Sequence, residues 1–346
     1  MLCLGVDLGD LVSREKVTLE QLSGRSIAVD GYNSLYQFLA IIRGPTGEPL
    51  MDRQGRVTSH LSGLLYRTTN MAEKGIRLVY VFDGVPPSLK EAEIRRRSKV
   101  KEEALLKYEE AVVRGDFQEA RRYAQATSRI KDLMVDDATR LLDALGVPWV
   151  QAPSEGEAQA AFIALRGDVW AAASQDYDSL LFGAPRLVRN LAISGRRKLP
   201  RREAYVEVEP EVIELSRVLS ELGIGREQLV DLGILVGTDY NPDGVRGVGP
   251  KTALKMLKEQ GSIDKVLPSL QAEFPEDPVR IRGVFLNPKV TSNYSIQWRE
   301  PKTEDVVQFL CRERDFSEER VRNAVERMIS GRRERERKRT LDSFFH

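Results

Sequence analysis

The sequence predicts an α/β protein with a mostly parallel sheet flanked by helices, and three observations carry that prediction. Short apolar runs at Ser26–Val29 (SIAV), Leu78–Phe82 (LVYVF) and Val169–Ala173 (VWAAA) have the length and character of buried strands. Helical periodicity fills the intervals, as at Ser34–Ile42 and Ser59–Lys74, and strands alternating with helices imply parallel pairing. Each run is also followed by aspartate: Asp30 directly after the first, Asp83 directly after the second, Asp176 and Asp178 just beyond the third. Ligands of parallel sheets bind at the carboxyl ends of strands, so these side chains are expected on one rim.

Taken singly, each acid has an ordinary explanation. Asp30 precedes Gly31 and an apolar helix, as a helix N-cap does. Asp83-Gly84-Val85-Pro86-Pro87 reads as a turn. In PSEGEAQAAFIAL, Ser154 and Glu157 fit a capping box, which leaves Glu155 and Gly156 unaccounted for. Asp239, in GTDY after the apolar helix Leu229–Val236, fits a helix-terminating turn. Convergence explains all seven carboxylates at once. Two unit charges 4 Å apart repel by about 4 kcal/mol at an effective dielectric near 20, so such a cluster needs cations. Oxygen donors without imidazole or thiolate select hard ions such as Mg²⁺ or Mn²⁺. A pair of ions about 3.5–4 Å apart clamps the attacking and leaving oxygens of a phosphodiester, which predicts phosphoryl-transfer hydrolysis.

Composition narrows the alternatives. A chain of 346 residues with two cysteines and two histidines excludes a disulfide scaffold, multi-cysteine zinc modules and histidine-rich metal sites. No apolar stretch approaches the ~18 residues a membrane span needs, and a soluble, intracellular protein is expected. The net charge is only +1, yet basic residues are unevenly placed. Seven, with no acid, lie between Arg186 and Arg202. Six lie among two acids from Gly331 to Thr340, and twelve oppose eight acids from Lys90 to Lys131. A polyanion needs local basic surface, not global excess. The charged content of 30% hints at a thermophile.

Asp30 within IAVDGYNSLYQFL, Asp83 within YVFDGVPPSLK, then PSEGEAQAA, SQDYDSLLFG and GTDYNPDGVRGVGPKTA occur in that order. Together they resemble the structure-specific 5′ nucleases (xeroderma pigmentosum group G-like), and within them the flap endonucleases of an archaeal type, from about Gly5 to the C-terminus. The resemblance implies the PIN-like 5′ nuclease fold with a helical arch and a helix–hairpin–helix element. It implies that Asp30, Asp83, Glu155, Glu157, Asp176, Asp178 and Asp239 hold two Mg²⁺ ions, with Mn²⁺ as a substitute. Lys90 and Arg97 match the catalytic basic residues beside the scissile phosphate, and the residues themselves agree, since Lys90, Ile94, Arg97 and Lys101 share one helical stripe. Tyr36 matches an aromatic that stacks on a base next to the cleaved bond; without the resemblance it reads as a core residue beside Phe38. Arg43, Thr58 and Arg67 match positions that contact DNA near the 3′ flap.

The loop Gly244–Thr252 is neither a Walker A motif, because Pro250 separates glycine from lysine and no strand precedes it, nor a dinucleotide fingerprint, because its glycines run G-x-x-G-x-G. It reads as a helical hairpin with Pro250 in the first turn of the second helix, where backbone N–H groups and Lys251 grip a DNA phosphate without reading sequence. The resemblance makes Glu155, Gly237, Asp239, Gly247, Gly249, Lys251 and Thr252 the expected substrate contacts, and it adds a K⁺ held by loop carbonyls. At the C-terminus, Leu341, Phe344 and Phe345 lie at i, i+3, i+4, a short apolar anchor. This resembles the peptide that docks on the sliding clamp (PCNA), with Lys338 where the family has Gln. Met1–Leu4 read as an extension ahead of Gly5.

The expected organisation is a nuclease region at 1–102, an arch at 84–135, and an internal nuclease region at 120–262 with the hairpin at 229–260. A helical part at 263–330 and a clamp-binding tail at 331–346 complete it. The expected activity is endonucleolytic removal of 5′ flaps in Okazaki fragment maturation and long-patch base excision repair, with some 5′-3′ exonuclease action. The protein would be monomeric and cytoplasmic in an archaeon, or nuclear in a eukaryote. Rival readings are a sibling 5′ exonuclease or bubble or junction nuclease, and a non-catalytic clamp-bound DNA adaptor.

Overall fold

A computed structural model describes residues 6–344 apart from 45–46, 115, 117–118, 120–122, 124–131, 192–194, 199–204, 271–273 and 275. Its centre is a seven-stranded sheet. In chain order the strands are β1 (Glu15–Lys16), β2 (Ser26–Asp30), β3 (Arg77–Phe82), β4 (Trp149–Gln151), β5 (Ala171–Ala173), β6 (Arg186–Arg189) and, after a separate hairpin of β7 (Gly195–Lys198) and β8 (Tyr205–Val208), β9 (Glu211–Glu214). The spatial order is β1-β9-β6-β5-β2-β3-β4. Strands β4, β3, β2, β5 and β6 run parallel, and β9 and β1 close one edge antiparallel. The chain steps outward from β2 to β3 and β4, then crosses back to lay β5 on the other side of β2. That reversal opens a crevice at the carboxyl ends of the central strands.

Helices cover both faces, and the period of two decides which residue serves which. In β2, Ile27 and Val29 join one core while Ala28 joins the other; in β3, Leu78, Tyr80 and Phe82 oppose Val79 and Val81. One face packs on α1 (Gly31–Ile41), α2 (Ser59–Glu73), α4 (Asp132–Leu145), and, near the C-terminus, α12 (Thr303–Val307) and α13 (Glu318–Phe344). The other packs on α5 (Gly156–Leu165), α6 (Asp178–Leu181), α7 (Leu215–Leu222), α8 (Arg226–Val236), α9 (Pro250–Gln260), α10 (Ile263–Leu270) and α11 (Pro278–Leu286). The long, charged α3 (Glu91–Val113) follows a single 3₁₀ turn at Ser88–Lys90 and leaves Val100, Leu106 and Val113 exposed.

The expected α/β class is found, and the first two strands and both predicted helices fall within a few residues of their expected bounds. The third run shortens to Ala171–Ala173, the three residues in register with Ile27–Val29 of β2, while Val169 still packs in the core and the Trp170 N–H still reaches the Ser26 carbonyl. Parity also aims the acids: Asp30 continues the Ala28 side, and Asp83 the Val79–Val81 side of the adjacent, in-register strand. No helix among the described residues is long and apolar enough to cross a membrane.

Candidate active site: a carboxylate cluster with its own cations

Asp30 ends β2 and also caps α1, its Oδ1 accepting the Asn33 N–H at 2.9 Å. The ordinary N-cap role is thus real, and it orients the carboxylate rather than replacing another role. Gly31 allows the close start of α1, since a Cβ there would lie 2.6 Å from the Phe82 ring. Asp83 accepts the backbone N–H of Gly156, at the first turn of α5. A Cβ on Gly156 would meet Asp83 Oδ1 at 2.8 Å and the Val81 carbonyl at 3.0 Å, so only glycine brings this helix start against the β3 end.

The anticipated capping box does not form. Glu155 is the N-cap of α5, with no side-chain cap, and the Ser154 hydroxyl donates instead to the Val85 carbonyl at 3.1 Å. Glu157 is thereby free to point across to α6, where it accepts the Ser179 N–H at 3.0 Å and hydroxyl at 2.6 Å. Asp178 accepts the Val6 N–H at 2.9 Å, tying the start of the described chain to the site.

The cluster is one electrostatic unit. Burial and the neighbouring Asp83 push the Asp30 carboxyl up to about 8. Burial raises Asp83, against the pull of the Gly156 N–H. Burial, then Asp178, Asp176 and Asp30, raises Glu157 well above the ordinary range. Asp176 rises to about 6 through burial and Asp239, and Asp178 rises strongly for the same reasons. Carboxyl groups that resist ionisation together signal missing positive charge.

Part of that charge comes from the chain. The Lys90 ammonium lies 2.5 Å from Glu155 and 2.9 Å from Asp239. Arg97 bonds Asp239 and, at 2.7 Å, the buried Glu93. Among the described residues no three acids close into a ready coordination shell; the ammonium stands between them. Of the stripe expected along Lys90, Ile94, Arg97 and Lys101, Lys90 and Arg97 both reach Asp239, Lys101 sits 4.5 Å above the Tyr36 ring, and Ile94 is exposed. Tyr36 is not in the core. The buried stripe of α1 is Gly31, Ser34, Leu35, Phe38 and Leu39, which leaves Tyr36 facing α3, within electrostatic range of Arg97 and Arg43.

Other expected residues are farther from the cluster's contacts. Arg43 is half-buried and donates to the Gly47 carbonyl at 2.8 Å. Thr58 is buried at the start of α2, and Arg67 is half-buried beside Tyr80. The hairpin forms as read, with α8 ending at Gly237 (φ 123°), and Gly249 capping α9 ahead of Pro250. Added Cβ atoms on Gly247 and Gly249 would meet nothing, and Lys251 and Thr252 are exposed, so this backbone is open to a ligand. Leu341 and Phe344 fall in the last turns of α13, but their side chains, and all of Phe345, lie outside the described residues. Met1–Leu4 lie outside them too.

Two contributors were not foreseen. Tyr240, 3% exposed, donates its hydroxyl to Glu155 and holds its ring 5.9 Å from the Lys90 ammonium. Glu93, 4% exposed, grips Arg96 at 2.6 Å as well as Arg97. The second was legible in principle from its i+3 and i+4 spacing; the first carried no sequence signal beyond its place after Asp239.

Comparison with known proteins matches this arrangement. Residues 8–104 match the XPG N-terminal domain and residues 146–239 the XPG I-region, and these spans contain all seven acids. The chain is 61% identical over 335 residues to flap endonuclease 1 of Hyperthermus butylicus, covering 96% of both proteins. It is 55% identical over 336 residues to that of Staphylothermus marinus, again covering 96% of each. The solved flap endonuclease-1 of Methanococcus jannaschii superposes with a TM-score of 0.75 at 42% identity, over 96% of this chain and all of that one. The catalytic core of Rad2 in complex with DNA substrate shares the fold, with a TM-score of 0.68 at 23% identity over 91% of this chain and 96% of that one. With its acids, its basic helix and its hairpin all falling where these proteins align, the chain belongs to the XPG family of structure-specific nucleases, in the flap endonuclease branch.

Proposed function

We propose that the protein cleaves branched DNA at the base of 5′ flaps by two-metal-ion hydrolysis, in DNA replication and repair. The observation that carries this reading is the electrostatic coupling at the carboxyl rim of the sheet of six acids to Lys90 (Asp30, Asp83, Glu155, Asp176, Asp178 and Asp239) and of Glu157 to Asp178, Asp176 and Asp30. The donor set fits a hard divalent cation: carboxylates only, held in a charge deficit that Lys90 and Arg97 do not cancel. Asp30, Asp83, Glu155, Glu157, Asp176, Asp178 and Asp239 would hold two Mg²⁺, which would acidify a water and neutralise the phosphodiester oxygens.

The chain's own groups have separate tasks. Lys90 and Arg97 give their charge to the carboxylates in the free protein and to the scissile phosphate when DNA arrives, where it stabilises developing negative charge. Tyr36 offers its face to the neighbouring base. Gly247, Gly249, Lys251 and Thr252 take a phosphate of the duplex on the α9 start, with Gly237 shaping the loop and a K⁺ at its carbonyls. Arg43, Thr58 and Arg67 face the strand on the 3′ side. The region boundaries given above, with the arch at 84–135 and the tail at 331–346, belong to this reading. So does docking on a sliding clamp through Leu341, Phe344 and Phe345.

The test is cleavage of a labelled flapped duplex with Mg²⁺ and with EDTA. Mg²⁺ is expected to yield one major product at the flap base and EDTA none. Asp176→Ala is expected to keep DNA affinity within about twofold while cleavage falls at least ~10³-fold. Full cleavage by this variant would remove the two-ion assignment.

A further inference from the structure

A cavity of about 460 Å³ opens against the carboxylate cluster, and Glu155 belongs to both. It is a slot between two walls. One is the loop Val85-Pro86-Pro87 with Leu89; the other is α11 and the turn after it, presenting Arg280, Val284 and Lys289. Buried Phe182 and Ala158 line it between them.

Both walls are anchored. Gly84 N–H donates to the Ser154 carbonyl at 2.6 Å, and the Ser154 hydroxyl holds the Val85 carbonyl. A Cβ on Gly84 would lie 2.2 Å from the Ala152 carbonyl, so glycine permits this close fastening. On the opposite side Arg282 ties α11 to Glu227 at 2.9 Å, to the fully buried Asp231 at 3.1 Å and to Asp264 at 3.6 Å. Arg226 holds the Phe285 carbonyl at 3.0 Å. The slot is pre-formed, and its volume suits a single small organic group but not a duplex.

Its chemistry is divided. The inner surface is proline, valine, leucine and phenylalanine. Arg280 and Lys289 are exposed at the slot, and among the described residues Arg280 pairs only with Glu276, at a long 3.5 Å. Glu155, the one acid lining it among the described residues, already has its oxygens engaged by Lys90 and Tyr240. An apolar interior with cations beside it suits a flat heterocycle carrying a phosphate.

We propose that this slot seats one unpaired nucleotide of the DNA strand being cut. Its base lies against Pro86, Pro87 and Val284, and its phosphate lies at Arg280 and Lys289. The assignment rests on the nuclease reading, because the shared Glu155 puts the occupant next to the reacting phosphodiester. A paired base cannot enter, so the slot rewards single-stranded character beside the cut.

The test uses the full chain in EDTA and fluorescence anisotropy of a flapped duplex and of the same duplex without its flap. Val284→Trp fills the slot, and Arg280→Ala with Lys289→Ala removes its cations from the surface without touching the core. Each is expected to weaken the flapped duplex about tenfold and the unflapped one by less than about twofold. An abasic flap nucleotide at the seated position should cost wild type a similar factor and cost Val284→Trp nothing further. Unchanged affinity for the flapped duplex, or equal loss for both duplexes, overturns the proposal. If Val284→Trp does not fold by thermal melting, the surface double variant decides alone. Wild-type cleavage in Mg²⁺ separates the two readings: cleavage with unaffected variants removes only the slot, whereas no cleavage removes the nuclease assignment itself.

Discussion

Tyr240 shows how one side chain sets the chemistry of several. Its hydroxyl fixes one oxygen of Glu155, its ring faces the Lys90 ammonium, and its other side packs edge-on to Phe285 with centroids 5.4 Å apart. It is a positioning residue, since it holds the Glu155 carboxylate, a ligand in the proposed metal site, without reacting. Outer partners of this kind typically govern affinity by 10–100-fold. Tyr240→Phe is therefore expected to raise the Mg²⁺ concentration for half-maximal cleavage by about tenfold, with a much smaller change in DNA affinity; a Mg²⁺ titration of cleavage rates reads this directly. The ammonium contact survives in that variant, because phenylalanine keeps the ring face. Residues of this class were invisible in the sequence: a tyrosine after an aspartate has no spacing rule, and only the return of the α8–α9 loop to the α5 start brings it to Glu155. Asp30 and Asp83 were legible because a parallel strand points its last side chain at a predictable rim.

At the level of elements, the approach of α5 to the end of β3 governs the site. Gly156 makes that approach, and with it the hydrogen bond that orients Asp83. Gly156→Ala should push the helix start away by several tenths of an ångström. We expect a stability loss of about 1–3 kcal/mol and a cleavage rate lowered by more than tenfold, read by denaturant unfolding and single-turnover kinetics. Retention of full activity would show that Asp83 finds its place without this contact. The sequence signalled β2, β3 and β5 through their continuous apolar runs, and not β4 or β6. Strand β4 is three residues following Pro148, and β6 reads Arg-Leu-Val-Arg, with its charged ends turned partly to solvent. Neither run is long enough for periodicity to separate strand from loop, and both exist because neighbouring strands supply their hydrogen bonds. The capping-box motif at Ser154 misled for a related reason: tertiary demand from Val85 and Ser179 outbid the local pairing.

Across the whole molecule, the acid rim is matched by a neutral histidine far from it in role. His60 on α2 is fully buried, with neither ring nitrogen hydrogen-bonded among the described residues. Burial lowers its pKa from 6.5 to about 4, with Asp137 and Arg314 acting in opposite directions. The folded state thus disfavours the proton that the unfolded chain accepts at 6.5. The stabilisation is complete above pH 6.5 and is lost as pH falls from there toward 4, by about 3 kcal/mol in total. The carboxyls raised in the acid rim change stability in the opposite direction over the same window, so the His60 share is read as a difference: from pH 7 to 4 the unfolding free energy of His60→Leu should gain about 3 kcal/mol relative to wild type. A profile unaltered by the substitution would assign the acid sensitivity elsewhere.

The crossing back from β4 to β5 has a consequence for how the protein comes into being. The ribosome delivers Asp30 and Asp83 early, but their companions at Asp176, Asp178 and Asp239 only after the reversal has been completed. A nascent or truncated chain ending before the α8–α9 hairpin would carry six of the seven acids but lack Asp239, the shared anchor of Lys90 and Arg97, so the basic helix gains its full grip on the rim only when that hairpin has been made.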